Sequence, residues 1–438
     1  MNPRTYTART ARTSPTPAPA SPQATCAASP KRRTTGRGRA WRALLIASLL
    51  PLTAAVPALA SPAVGNPAPD PNKTGLVEKK LVPDLLGTMQ KLRIPGALVS
   101  VTMPKWGTTT TALGTDNLGT GQAMDAADHL RVGDITRTFT GTVILQLAGS
   151  HRLGLDEPVA RLMSGVPNGQ HITVRQLLQM TSGLYDYSED PNLNQALDKH
   201  PDAQFAPGDL LAVAFSHKPY FAPGKGFHDS ATNTVLLGMI AERVTHQSLP
   251  TLLNQRIFTP LGMKDTRIDN GAAIAAPAAR GYQFVGNAAS LTAPVLTGKD
   301  AAWADYSAGK PLDVTQANAS WTWASGAATS TLADLNRWAP ALATGKLLSP
   351  EMRQQQQLFM PTSTTAGATT YGLALADYPG YTGLIGHEGQ IPGYSTFMGY
   401  DPKTQATVVV MANSDRSPDG TTPATELMKR VVADVFGG

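Results

Sequence analysis

Apolar residues along this chain repeat at helical spacing in some stretches and at strand spacing in others. Over residues 76–92, Leu76, Leu81, Leu85, Leu86 and Met89 fall near one stripe, which predicts an amphipathic helix. Candidate strands follow at 97–103 and 108–113, with Pro-Lys-Trp-Gly between them as a turn. A short approach from Leu130 to Val132 then runs into Gly133. From Asp134 onward, Ile135, Phe139, Val143, Ile144 and Leu147 recur at roughly helical intervals. This predicts a helix with one buried face, its first turn capped by the Asp134 carboxylate.

From Leu153 to about Thr266 the pattern is mostly helical with many loops, including a helix over 234–244 with Leu237, Ile240 and Val244 inward. The C-terminal part returns to strands at 384–387, 394–400 and 407–412, then to a helix at 423–436. Strands at both ends with helices between them predict one sheet built from N- and C-terminal segments, with a helical region (about 150–266) inserted. No internal repeat of useful length is present.

Composition changes the picture mainly at the N-terminus. The chain has 438 residues and a formal charge of +6, long enough for a large core. Residues 1–60 hold nine Lys or Arg and no acid; of the 37 basic residues 28 then remain against 31 acidic ones, a net charge of −3. That balance argues against a nucleic-acid or anionic-membrane partner. A basic region ending at Arg42, an apolar stretch to about Val56 and Ala58-Leu59-Ala60 together predict an export signal over 1–60. The expected product is secreted, starts near Ser61 and has no membrane span. The single cysteine, Cys26, falls inside that signal, so the remainder has no disulfide or thiolate chemistry. Residues 61–73 are a Pro-rich linker, leaving 74–438 as the folded domain.

The helix opening reads Val132-Gly133-Asp134-Ile135-Thr136-Arg137-Thr138-Phe139-Thr140. It resembles the nucleophile helix of the serine β-lactamase and penicillin-binding protein superfamily, and most of all class C β-lactamases and D-alanyl-D-alanine carboxypeptidases. In that superfamily the helix opens with Ser-x-x-Lys; here Asp134 and Arg137 stand in those two slots. Similar phrases occur at 155–159, 172–184, 220–233 and 321–335, so the resemblance covers roughly 75–437. It implies an α+β fold of the α/β-sandwich type, an antiparallel sheet flanked by helices. The second motif of the superfamily, Tyr-x-Asn, falls on Asp229-Ser230-Ala231. The third, His-x-Gly, survives as His387-Glu388-Gly389. By resemblance, His387, Gly389 and Gln390 would bind substrate, and the backbone N–H groups of residues 134 and 390 would form the oxyanion hole.

The superfamily's chemistry needs a hydroxyl, a base to deprotonate it and fixed donors for the acyl oxyanion. Arg137 stays protonated in any protein setting and is no base, and a helix N-terminus favours the anionic form of Asp134. Serine acyl transfer is therefore not expected from Asp134, Arg137, Asp229 and Ala231. Ser182, Ser325 and Ser395 have no Lys or His at a suggestive spacing. Asp134, Asp229, His387 and Glu388 lack the spacing of a metal site, so neither metal nor cofactor is expected. Two readings remain. One is a secreted pseudoenzyme that keeps the cleft and binds a ligand without covalent chemistry, such as a peptidoglycan stem peptide or a β-lactam-like molecule. The other is an enzyme that reuses the cleft with Asp134 and Asp229 as an acid–base pair.

Overall fold

The computed structural model describes residues 77–268, 271–292, 311–365 and 367–437. The expected export signal with Cys26 and the Pro-rich linker lie outside the described residues. Among the described residues, no helix is long and apolar enough to cross a membrane.

The first helix, α1 (Val82–Leu92), leads into strands β1 (Gly96–Met103), β2 (Gly107–Asn117) and β3 (Gln122–Ala123). Short strands β4 (Leu130–Arg131), β5 (Arg267–Ile268) and β6 (Ala328–Ser330) form a separate three-stranded sheet in the order β4-β6-β5. The C-terminal part supplies β7 (Met360–Pro361), β8 (Thr370–Tyr371), β9 (Ala376–Tyr378), β10 (Leu384–Ile391), β11 (Tyr394–Asp401) and β12 (Ala406–Ala412). The large antiparallel sheet has nine strands in the order β3-β2-β1-β12-β11-β10-β9-β8-β7. As expected, its centre joins the two ends of the domain: Val99 pairs with Val410 and Val101 with Val408. The helical region between them includes α2 (Ile135–Gly149) and α3 (Ala231–Thr245); α4 (Leu332–Ala343) follows it and α5 (Pro423–Val435) ends the chain.

Alternation along the central strands sends side chains to two cores. Val99, Val101, Phe397, Val408 and Val410 meet Leu85 and Met89 of α1 and Leu427, Met428 and Val431 of α5. Leu98, Met398, Val409 and Met411 face the other way and join the core around α2 and α4. Full burial of each such side chain is worth about 1.5–3 kcal/mol. The ion pair between Lys80 Nζ and Asp434 (3.0 Å) has a half-exposed lysine, and exposed pairs contribute about 0–1 kcal/mol. Hydrophobic burial therefore holds α1, the central strands and α5 together.

The helix at 135 differs from its expected form in two ways. It is not half-buried: every residue from Ile135 to Leu145 is inside, because α2 is packed against the sheet on one side and the other helices on the other. Its threonines are tolerated there because their hydroxyls have partners. Thr140 Oγ1 donates to the Ala324 carbonyl at 2.8 Å, and Thr138 Oγ1 accepts from Trp338 Nε1 at 2.8 Å. Thr136 Oγ1 accepts from the Ala328 N–H at 3.1 Å and so ties the helix to β6. The second difference is at Asp134, which occupies the N-cap position but makes no side-chain capping bond. Its carboxylate turns instead toward β10.

Candidate functional site

The site forms where the start of α2 meets β10, and two glycines allow that approach. A Cβ on Gly389 would lie 2.0 Å from the Val132 carbonyl oxygen and 3.1 Å from the Asp134 nitrogen. Gly133 has φ +51°, and a Cβ there would lie 2.5 Å from the Gln390 nitrogen. Any side chain at either position would wedge strand and helix apart. The Val-Gly and His-x-Gly frames thus bring the backbone at 134 and 390 together.

Asp134 fills the gap between them. Its Oδ2 accepts the Gln390 N–H at 3.2 Å, and its Oδ1 pairs with Arg137 Nη2 at 2.8 Å. The other terminal nitrogen, Nη1, donates to Asp229 Oδ1. Arg137 is 6% exposed, and its buried Nε has no hydrogen-bond partner among the described residues. Burial opposes its charge, but the Asp134 carboxylate, followed by Tyr371 and then Asp186 and Tyr187, outweighs burial and raises its pKa. Asp186, fully buried, has its own pKa raised by burial, a rise moderated by the Ser188 N–H and by Arg137. One guanidinium therefore pairs with two carboxylates, Asp134 and Asp229, and acts on Asp186 through space. Asp134 and Asp229 do approach a common point, but the arginine holds each of them. Ala231 is buried at the first position of α3 and offers only a methyl group to the cleft.

His387 is also buried. Burial, aided by the positive Arg137, pushes its pKa down to about 4, so the ring is neutral near pH 7. Its Nδ1 lies 2.5 Å from the Glu388 carbonyl oxygen and its Nε2 2.9 Å from the Tyr371 hydroxyl. The carbonyl only accepts, so Nδ1 carries the proton and Nε2 accepts from Tyr371. Glu388 accepts from the Thr425 hydroxyl at 2.8 Å, and burial raises its pKa.

Two cavities flank this centre and share Asp134 and Gln390. One, of about 340 Å³, has aromatic walls from Phe227, Tyr371 and Tyr378 and acidic groups from Asp134, Asp229 and Glu388; His387 and Gly389 line it too. The second, of about 220 Å³, is bounded by Arg137, Asn194, Ala231, Trp321, Ser325, Asp415 and Arg416. Asp415 is 8% exposed, and burial pushes its pKa up to about 7. Among the described residues, no group of three or more His, Cys, Asp or Glu could hold a metal ion.

The other serines are structural. Ser182 donates to Asn233 Oδ1 at 2.5 Å, Ser325 to the Thr322 carbonyl at 2.6 Å and Ser395 to the Ser414 carbonyl at 2.8 Å. All three are buried. Sequence reasoning missed Tyr371, Asp186 and Asp415. Tyr371 lies on a strand too short to show alternation. Asp186 stands just beyond the familiar phrase at 172–184, and its position there is the one signal that pointed to it.

A family model described as Beta-lactamase matches residues 84–433. Penicillin-binding protein 4* of Bacillus subtilis (strain 168) is 27% identical over 294 residues, 66% of this chain and 61% of that protein. Protein flp of Staphylococcus aureus (strain MW2) is 26% identical over 293 residues, 64% of this chain and 51% of that protein. The chain thus spans between about half and three-fifths of the length of these curated relatives. Among solved structures, a D-stereospecific amidohydrolase from Streptomyces sp. superposes with a TM-score of 0.68 at 28% identity, covering 81% of this chain and 100% of that one. D-amino acid amidase from Ochrobactrum anthropi SV3 gives a TM-score of 0.67 at 25% identity, covering 81% and 98%.

Proposed function

We propose that this chain, which belongs to the beta-lactamase family, is an exported homologue that has lost serine acyl transfer and binds its ligand without covalent chemistry. The observation that carries this is the Asp134 carboxylate, fixed by the Gln390 N–H at 3.2 Å and by Arg137 at 2.8 Å. An acyl-transfer site needs that N–H free to meet a developing oxyanion, with a nucleophile beside it. Here the Asp134 carboxylate occupies the donor, and the cation paired with it is an arginine, which takes no proton from a hydroxyl. The acid–base alternative is weaker. Two carboxylates split their pKa values when they must share a proton, whereas Asp134 and Asp229 each have the Arg137 fork as a partner.

The cleft itself persists, with aromatic walls and polar groups, which is the make-up of a small-molecule site. Stem peptides of peptidoglycan and β-lactam-like molecules are the ligands proposed for it. In a thermal-shift series with these compounds, at least one should stabilise the protein; about 2.7 kcal/mol is expected at a concentration of 100 Kd. The mass measured after denaturation should stay that of the unmodified chain. Turnover of the ligand, or a mass increase that survives denaturation, would contradict the proposal. Export is part of the same reading, supported by the basic, apolar and Ala-x-Ala order over 1–60. N-terminal sequencing of protein recovered from the medium should begin near Ser61; a product still carrying 43–56 in the membrane would rule export with cleavage out.

A further inference from the structure

We propose that a third cavity, adjoining the cleft, is a further binding site that takes an apolar group carried on a secondary amide. The proposal does not depend on the loss of acyl transfer. This cavity, of about 510 Å³, is larger than either of the two beside Asp134. It shares Gln283, Asn287, Trp321, Ile391 and Pro392 with the smaller of those two, so the two spaces adjoin along one wall. Leu197, Leu312, Val314, Trp321, Ile391 and Pro392 supply its apolar surface. Leu312 is 48% exposed and stands opposite Gln283 in a two-stranded ribbon. Of the charged groups, Asp202 is exposed to water and the others have partners. Asp198 accepts the Asn287 and Ala288 N–H groups at 2.7 and 2.9 Å. Asp313 pairs with Arg280 at 2.6 Å, and Arg131 donates to the carbonyls of Ala272 and Ala317. A neutral ligand with an apolar body therefore fits this space better than an ion.

Two buried amides define the polar part of that ligand. Asn318 is 5% exposed, and its Oδ1 accepts the Ser320 N–H at 2.9 Å. Its Nδ2, a donor, has no hydrogen-bond partner among the described residues. Gln283 is 3% exposed and is fixed by a chain of bonds that starts at Asp198. The carboxylate only accepts, so Asn287 turns Nδ2 to it at 3.0 Å. Asn287 Oδ1 then accepts from Gln283 Nε2 at 3.1 Å, which leaves Gln283 Oε1 as an acceptor with no partner among the described residues. Buried amides normally use both ends. One donor and one acceptor without partners, beside an apolar wall, match the carbonyl and the N–H of a secondary amide.

Calorimetry and ligand-observed NMR on the full chain should rank three probes: N-cyclohexylacetamide, cyclohexyl acetate and N-methylacetamide. The ester keeps ring and carbonyl but has no N–H for Gln283, and should bind about tenfold more weakly than the first. N-methylacetamide keeps the amide without the ring and should lose at least about tenfold. Leu312→Asp changes a half-exposed position, so it keeps the fold, and its charge should weaken N-cyclohexylacetamide several-fold. Asn318→Asp keeps the acceptor for the Ser320 N–H but puts an oxygen in place of the donor. It should weaken amide and ester alike, because both present the same carbonyl. An ester that binds as tightly as the amide, no binding of either ring-bearing probe, or an affinity unchanged in either folded variant would overturn the proposal. Failure of the non-covalent reading of the cleft would show separately, as an adduct or as turnover of the cleft's own ligands.

Discussion

Combining Asp134→Ser, Arg137→Lys, Asp229→Tyr and Ala231→Asn is expected to give a protein that forms an acyl-enzyme with nitrocefin or a D-Ala-D-Ala ester. No subset that keeps Asp134 should do so. Groups of one catalytic unit are strongly non-additive, so Asp134→Ser alone should be inert, its new hydroxyl facing Arg137 with no base. The full set restores a nucleophile and a base, and it frees the Gln390 N–H that Asp134 Oδ2 now occupies. One oxyanion donor is worth about 10²–10³ in rate. The rest of the frame is already in place: Gly133 and Gly389 still bring helix and strand into contact, and neutral His387 is held by Tyr371. Mass spectrometry after denaturation reads the adduct directly. A folded quadruple variant that stays inert toward every such donor would show that the cleft, and not only four side chains, departs from the family.

Arg137→Met should cost the fold about 3–5 kcal/mol, the range for removing one partner of a buried ion pair. The methionine fills similar space but leaves Asp134 without its cation and takes away the positive charge that moderates the raised pKa of buried Asp186. The pair with Asp229 contributes less to that loss, because the Asp229 side chain is 51% exposed and water screens it. Adding Asp134→Asn to Arg137→Met should recover part of the stability by removing one stranded charge. Urea unfolding of wild type and both variants measures this. A single-variant loss below about 1 kcal/mol would mean that the carboxylates find other partners or water, and the charge cluster would not be the organising feature described.

Most of the sheet was legible because its strands are regular. Residues 407–412 read as a strand and form β12, buried on both faces; 394–400 and 97–103 extend by a residue or so into β11 and β1. The predicted strand at 384–387 runs on to Ile391, because Gly386 and Gly389 break the apolar pattern while the backbone ladder continues past them. Helix α3 begins at Ala231 rather than at 234, since Thr232 and Asn233 are buried polar residues that hide the amphipathic signal. For α2 the period was right and the burial wrong, as threonine hydroxyls satisfied inside a helix leave no mark in a hydropathy pattern. At the site, the substituted positions were readable one by one. Their electrostatics were not: that one arginine pairs with both Asp134 and Asp229 depends on a fold that brings the start of α2 against the segment just before α3. Asp134 likewise reads locally as a helix cap, and only the arrival of β10 from the far end of the sequence offers its carboxylate the Gln390 N–H.

The pairing of β1 with β12 also bears on how the molecule comes to exist. Closing a loop of roughly 300 residues costs about 3 kcal/mol more entropy than closing one of ten, and that cost falls before the valines across the seam can repay it. The hairpins β10–β11 and β11–β12 are local and form early by comparison, as does much of the helical region. During synthesis β1 must therefore wait, its edge unpaired, until residues 406–412 have emerged. The same wait applies to the cleft, because Gln390 reaches Asp134 only when that ladder has docked. Such a chain is slow to commit and exposed to aggregation while it waits, and for the same reason it remains threadable until its last strand is released.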